Sequence, residues 1–376
     1  MKIIKAYKTE LDPNNKQKTF LQQCAGASRF VYNWGLAEWK RQYESGEKPS
    51  EYSLRKKFNA EKDEICSWIR DLPYAVVESS FANLGTAFKN FFRDLKKGKV
   101  GYPKFKKKGI RDSFQVKNTV VDDGHIKVTS IGWIKLKEKG YIPTNGKYGN
   151  YSTISKKAGR WFVSIFIEVE VEEQSNHTNE IIGVDLGIKH LAVTSDGMVF
   201  ENPKPYKNSL KKMKRLQREL SRRNKGGSNY NKTKKKLAKE HFRVSNIRQN
   251  ETHNISSYIT KKLPQAIVME DLNVKGMMRN HRLAGSIADS SFGELRRQIE
   301  YKSERMGIDF FLAGRFEPTS KMCSNCGEIK SELTLNDRTY ICDSCGLEID
   351  RDLNAAINIS NLYEPSNGRE LPVELA

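Results

Sequence analysis

One stretch of nine residues, Ile181-Ile182-Gly183-Val184-Asp185-Leu186-Gly187-Ile188-Lys189, constrains this chain more than any other. An apolar, largely β-branched run leads into an aspartate, with glycine two places before it and two places after it. The run is short and glycine-bounded, which predicts a strand. A carboxylate buried there without a partner costs several kcal/mol. The glycines would admit another backbone, a metal or a phosphate close to the acid. Taken alone, the motif fits an edge strand with its aspartate turned to solvent equally well.

Two later stretches bear on that choice. Ala266-Ile267-Val268-Met269-Glu270-Asp271-Leu272 is another apolar run that ends in acids. Glu348-Ile349-Asp350-Arg351-Asp352-Leu353-Asn354-Ala355-Ala356 sets acids at the start of a predicted helix, Leu353 to about Leu362, where the helix dipole favours an ionised carboxylate. Asp350 or Asp352 could also serve only as an N-cap. Between these stretches, Leu191–Thr194 and Met198–Phe200 flank Ser195-Asp196-Gly197, a hairpin signal. Two basic helices follow, broken near Asn224–Gly227, the second reaching about Lys262. A helix over Phe292–Met306 and a strand over Asp309–Phe316 complete an α/β order consistent with an RNase H-like layer.

The cysteines carry the sharpest local signal. Cys323-x-x-Cys326 and Cys342-x-x-Cys345 are separated by fifteen residues, the spacing of a four-cysteine zinc ribbon. Gly327 and Gly346 follow the two pairs and suit the tight turn that aims two thiolates at one ion. Disulfides are disfavoured in a cytosolic chain, and a redox C-x-x-C needs no second copy. Four sulfur ligands leave no open position, so one zinc here is structural. Cys24 and Cys66 read as packing residues.

The N-terminal half is less pointed. Lys2–Tyr7 predicts a strand, Asp12-Pro13 a helix start, and Phe20, Cys24, Ala27, Val31 and Trp34 recur at helical spacing. Further helices are expected over Tyr52–Ile69 and Tyr74–Leu95, with Phe81, Leu84, Phe88 and Phe91 on one stripe as a helix–helix core. From Ser113 the period changes to two, most clearly where Trp161, Val163, Ile165, Ile167, Val169 and Val171 alternate with their neighbours. A small barrel or sandwich is expected, with the helices inserted after its first strand. Glu172–Glu180 is polar and reads as a linker.

Charge then speaks to the partner. The chain has 66 Lys and Arg against 45 Asp and Glu, a net +21. Lys96–Arg111 holds eight basic residues and no acid, with Tyr102 and Phe105 among them. Lys204–Arg243 holds sixteen against Glu219 and Glu240 only. Such runs repel themselves unless phosphates or counterions neutralise them, so nucleic acid is the expected partner. No apolar run approaches a membrane span and the first residues start no secretory signal, so no membrane partner and a cytoplasmic location are expected.

Asp185, Glu270 and Asp352 thus stand at predicted core elements of a basic chain. Hard oxygen ligands plus substrate phosphate satisfy magnesium, and two ions about 3.5–4 Å apart serve phosphodiester cleavage. A nuclease explains such a trio better than a simple binder does.

With GVDLG, VMEDLN, the four-cysteine ribbon and DRDLNAAIN in hand, the chain resembles the TnpB (OrfB) family of insertion sequences, relatives of type V CRISPR effectors. LQQCAGASRFVYNWGL and GYPKFKKKG are also similar to family segments. The resemblance implies an RNA-guided DNA endonuclease that carries an RNA made from the transposon end and cuts double-stranded DNA beside a short target-adjacent motif. It implies a RuvC nuclease domain over 173–317 and 350–362 with the zinc ribbon, 318–349, inserted. It also implies a β-barrel wedge domain over 1–10 and 99–172, a helical recognition lobe over 11–98, and a poorly ordered tail over 363–376. Asp185, Glu270 and Asp352 correspond to the family's catalytic, magnesium-holding acids. Glu270 is preferred to Asp271, which would face the other way on a strand. Asp352 is preferred to Asp350 because the family's acid lies two places before the asparagine of N-A-A. Two rivals remain: a transposase performing strand transfer with the same acids, and a non-enzymatic zinc-ribbon regulator that binds DNA.

Overall fold

The computed structural model describes residues 2–99, 101–170, 177–315, 317–334 and 337–364. The chain divides into two compact units, Met1–Val171 and Glu172–Ala376.

In the first unit β1 (Lys2–Asp12) leads to α1 (Asn15–Glu44), α2 (Glu51–Cys66) and α3 (Tyr74–Lys96). Six strands follow: β2 (Ser113–Lys117), β3 (Val120–Asp122), β4 (His125–Val128), β5 (Gly132–Leu136), β6 (Lys147–Lys157) and β7 (Arg160–Glu170). They form one antiparallel sheet in the order β2-β6-β7-β1-β5-β4-β3. β1 runs five residues past the strand expected from the sequence, because it pairs with β7 along almost its whole length and then crosses to β5 at Leu11 and Asp12. The helix start moves accordingly. Asn14 caps α1, accepting from the Gln17 amide, while the Gln17 side chain accepts from the Asn14 amide.

The period-two reading of β7 holds through Ile167: Trp161, Val163, Ile165 and Ile167 are buried, Val169 is half-buried, and Val171 lies outside the described residues. Phe81, Leu84 and Phe88 on α3 are buried too, and Phe81 meets Phe58 edge-on with ring centroids 5.6 Å apart. Helices and sheet share one hydrophobic core. Cys24 and Cys66 lie in it, and burial pushes the Cys24 thiol up to about 12.

The second unit opens with β8 (Ile181–Asp185), β9 (His190–Thr194) and β10 (Val199–Glu201). Two long helices follow, α4 (Pro205–Ser221) and α5 (Ser228–Lys261), then β11 (Ala266–Glu270). Two short helices unforeseen in the sequence, α6 (Val274–Met277) and α7 (Ala284–Ser290), precede α8 (Phe292–Met306) and β12 (Asp309–Ala313). The chain then forms β13 (Thr339–Ile341), β14 (Glu348–Asp350) and α9 (Arg351–Asn361). β12 ends earlier than the expected Phe316, where its pairing with β11 stops at Ala313. The five-stranded sheet is mixed, in the order β10-β9-β8-β11-β12. β8, β9 and β10 pair antiparallel, and β8, β11 and β12 pair parallel. The α/β layer expected from the strand–helix order is present.

Side-chain parity separates the two faces of this sheet. Ile182, Val184, Ile267 and Met269 pack with Ile255 and Ile259 of α5 and Leu295 and Ile299 of α8. Val268 and Ala313 pack with Ile359 of α9. Among the described residues no helix is long and apolar enough to cross a membrane. The tail expected beyond Tyr363 lies, from residue 365 on, outside the described residues, as does most of the linker over 172–180.

Candidate active site and metal centre

Asp185 ends β8 and Glu270 ends β11. The two strands run parallel with Val268 opposite Gly183 and Met269 opposite Val184, so the next pair in register sets Glu270 beside Asp185. Both acids share parity with the face that carries α9, since Asp185 follows Gly183 by two places and Glu270 follows Val268 by two. The site therefore sits at the carboxyl ends of parallel strands, where open α/β sheets bind ligands.

The third acid arrives on α9. At Gly183 a Cβ would lie 2.0 Å from the Ala356 carbonyl oxygen and 2.5 Å from the Ser360 nitrogen. Only glycine lets the helix backbone lie directly on the strand. Asp350 is the N-cap, accepting from the Asp352 amide at 2.9 Å and the Leu353 amide at 3.1 Å. The helix thus begins two residues before the expected Leu353. Asp352 lies in its first turn, where Arg351 Nη2 donates to its carboxylate at 3.2 Å. The capping role considered for either acid belongs to Asp350.

Electrostatics link the three. Burial at the strand end, then the charges of Glu270 and Asp352, hold the Asp185 carboxyl well above its ordinary value, with Arg351 opposing them. Burial also raises Glu270, against a hydrogen bond from the Thr319 hydroxyl at 3.0 Å. Asp271 is different. It pairs with Arg315 and with Arg296 of α8 at 2.9 Å, and those guanidiniums, Arg315 foremost, hold it below the ordinary carboxylate range. Asp271 lies just past the end of β11, neutralised by these two arginines.

The second constellation is sulfur. The Sγ atoms of Cys323, Cys326, Cys342 and Cys345 all lie within 4.8 Å of one another, and all four cysteines are free thiols. The Cys323–Cys345 and Cys326–Cys342 sulfur separations are 3.7 and 3.5 Å. A tetrahedral ion with metal–sulfur bonds of about 2.3 Å puts sulfurs about 3.8 Å apart, so this donor set fits a closed four-sulfur site. Gly327 and Gly346 turn the two knuckles at φ of 78° and 73°, which explains glycine after each pair. The acids are set more loosely: among the described residues only the cysteines form a group of three or more ligands that tight. A pair of ions about 3.5–4 Å apart does not require all its carboxylates to meet at one point. The oxygen-only donors fit hard divalent cations.

The basic run forms a helical hairpin. Its two acids are internal to it. Glu240 is buried, accepting from Ser209 Oγ at 3.0 Å and pairing with Lys212, while Glu219 accepts from Thr233 Oγ1 at 3.0 Å and pairs with Arg223. Lys211, Lys214, Arg218, Lys232, Lys235 and Lys239 stay exposed. Buried Asp289 fixes the base of the hairpin, accepting from the Tyr206 and Lys207 amides of α4 and from Arg248 Nε of α5 at 3.1 Å. In the first unit the aromatic–basic loop is partly spent on packing. Asn33 exchanges two hydrogen bonds with the Lys106 backbone, and Tyr102 packs against Phe88 and Phe91.

A family profile described as "Probable transposase" matches residues 164–281, and a Cas12f1-like TNB domain profile matches residues 292–359. The Escherichia coli K12 protein named "Putative RNA-guided DNA endonuclease InsQ" is 32% identical over 379 residues, covering 96% of this chain and 92% of that protein. The chain belongs to the TnpB (OrfB) family. A Streptomyces pristinaespiralis protein of like name is 31% identical over 95% of this chain and 89% of its own length. The CRISPR-associated endodeoxyribonuclease Cas12f1 of Sulfoacidibacillus thermotolerans is 28% identical over 54% of this chain and 50% of its own. The Cas12f1–sgRNA–target DNA complex overlays loosely, with a TM-score of 0.37 and 17% identity over 96% of this chain and 99% of that one.

A helix-turn-helix profile also matches residues 1–48 of this TnpB-family chain. There the described residues form β1 and a single helix of 30 residues. The sequence reading assigned no contacts to Thr319, Asn354 and Asn358, although both asparagines lie in DRDLNAAIN. Buried polar residues have no period, and only their partners in space reveal them.

Proposed function

We propose that this chain is an RNA-guided DNA endonuclease of an insertion sequence. It binds a guide RNA derived from the transposon end and cuts double-stranded DNA beside a short target-adjacent motif by metal-dependent phosphodiester hydrolysis. The observation that carries this reading is the parity of Asp185 and Glu270, which turns both carboxylates to the sheet face where α9 brings Asp352. In this reading the five-stranded layer is an RNase H-like (RuvC) nuclease domain, 173–317 and 350–362.

Asp185, Glu270 and Asp352 hold two magnesium ions. When bound, these supply charge stabilisation to the attacking water and the departing oxygen. The chain's own contribution is to fix the acids on rigid elements. Desolvation and the neighbouring carboxylates hold a proton on Asp185, and a cation that displaces it would relieve their mutual repulsion. Arg351, beside Asp352, offsets part of that repulsion. The cysteines hold one structural zinc in a ribbon over 318–349. Binding free energy of such an ion is also folding free energy.

The exposed cations of α4 and α5 track phosphates, which suits a protein that leaves sequence reading to base pairing. The region 1–10 and 99–172, which carries most of the first unit's sheet, serves as a wedge barrel and 11–98 as a recognition lobe, although β1 runs on to Asp12 across that boundary. The place of action is the cytoplasm.

The test is to sequence RNA that co-purifies with the protein and then reprogram its guide end. Cutting should follow the new guide on double-stranded DNA and require magnesium. Absence of a defined RNA, or joined transposon ends in place of cut DNA, would favour the strand-transfer reading.

A further inference from the structure

The segment between β12 and the first knuckle does more than lead into the ribbon. Thr319 is buried, four residues before Cys323. Its hydroxyl donates to Glu270 Oε1 at 3.0 Å, and its carbonyl accepts from Asn358 Nδ2 of α9 at 2.8 Å. Asn358 also donates to the Met322 carbonyl at 2.6 Å. One turn earlier Asn354 donates to the same carbonyl at 2.7 Å, while its Oδ1 accepts the Ser324 amide at 2.9 Å. Both asparagines are buried. One residue thus touches the strand acid with its side chain and, with its backbone, the helix that carries Asp352.

We propose that Thr319 is a positioning residue for Glu270, clamped by Asn358 so that the segment leading into the ribbon sets the spacing between the acid on β11 and the acid on α9. The inference rests on the reading of Glu270 as an essential acid and names what holds that acid in place. With its backbone carbonyl held by Asn358, Thr319 keeps its hydroxyl within reach of Glu270. Partners that orient a metal-binding carboxylate typically contribute roughly 10–100-fold in metal affinity or activity. The alternative, that the hydroxyl bonds Glu270 only to satisfy its own burial, predicts a loss of stability with no specific effect on the acid.

The experiment compares Thr319→Ala, Thr319→Val and Thr319→Ser in the full chain with its guide RNA, beside Glu270→Ala. Three quantities are read: the cutting rate against magnesium concentration, manganese binding by electron paramagnetic resonance without DNA, and the melting temperature. Thr319→Ala and Thr319→Val should cut roughly 10–100-fold more slowly, need more magnesium for half-maximal rate and bind manganese more weakly. Thr319→Ser, which restores only the hydroxyl, should return all three to near the parental values. If Thr319→Ser is as impaired as Thr319→Ala, methyl packing and not the hydroxyl matters, and the proposal falls. It falls equally if Thr319→Ala cuts and binds manganese as the parent does while Glu270→Ala is dead. Parental cutting by Glu270→Ala would instead overturn the reading of the acid site on which the proposal rests.

Discussion

Adding one methyl group at Gly183 should disable the site from behind. The new Cβ would stand 2.0 Å from the Ala356 carbonyl oxygen and 2.5 Å from the Ser360 nitrogen. Both are backbone atoms of α9, so no side-chain rotation relieves the clash. Ordinary packing distances begin near 3.4 Å, and the helix or strand must therefore give way by about 1.4 Å. Overpacking of this kind costs about 1–3 kcal/mol. For a unit of this size that is a fall of roughly 2–12 °C in melting temperature. The effect on cutting should be larger, because α9 carries Asp352 and a misplacement of about 1 Å costs on the order of 100-fold. Gly293→Ala is the control: nothing lies within 4 Å of a Cβ there, and that glycine is exposed on α8. The assay is guided cleavage of matched DNA with a parallel thermal melt. If Gly183→Ala melts and cuts as the parent does, α9 is not seated on β8 through this glycine and the geometry argued for Asp352 is wrong.

Three further outcomes follow from the same structure. Metal analysis of purified protein should find about one zinc per chain, and Cys323→Ser or Cys342→Ser should unfold the C-terminal region; an active, folded preparation without zinc would contradict this. Replacing Lys211, Lys214, Lys232 and Lys235 with glutamine should weaken nucleic-acid binding and lower the log–log salt slope by roughly one for each phosphate no longer neutralised, whereas an unchanged slope would make the hairpin a merely solvated face. The native state binds the Asp185 proton more tightly than the unfolded chain does, because burial and the Glu270 and Asp352 charges raise it above the ordinary 3.8. Stability tied to that proton is fully present below the ordinary value and is lost as pH rises through the raised one. In magnesium-free buffer at neutral pH, Asp185→Asn should therefore melt higher than the parent, and an equal or lower melting temperature would refute the raised value.

What the sequence made legible was whatever has a period or a spacing. Parity along a strand chose Glu270 over Asp271, and the two arginines on Asp271 show where the rejected acid went. The cysteine spacing anticipated a sulfur set with near-tetrahedral edges. Glycine at 183 signalled a close approach, but the sequence left open whether backbone, metal or phosphate would make it. Boundaries were harder, since they depend on partners remote in the chain. β1 runs to Asp12 because β5 and β7 are there to pair with it, and α9 starts at Arg351 because the Asp350 side chain caps it. Polar clamps such as Thr319–Glu270 were not legible at all, since one hydroxyl among many carries no pattern.

The most direct measurement is guided cleavage and target binding by Asp185→Ala, Glu270→Ala and Asp352→Ala, each with matched RNA and DNA. Every variant should lose cutting by orders of magnitude while holding RNA and target as the parent does, because cations and base pairing hold the partners and the acids only place metal at the phosphate. Asp271→Ala should keep substantial activity, and Asp350→Asn should too, since asparagine can still cap α9. If any of the three alanine variants cuts at the parental rate, the nuclease site is not the one formed by β8, β11 and α9.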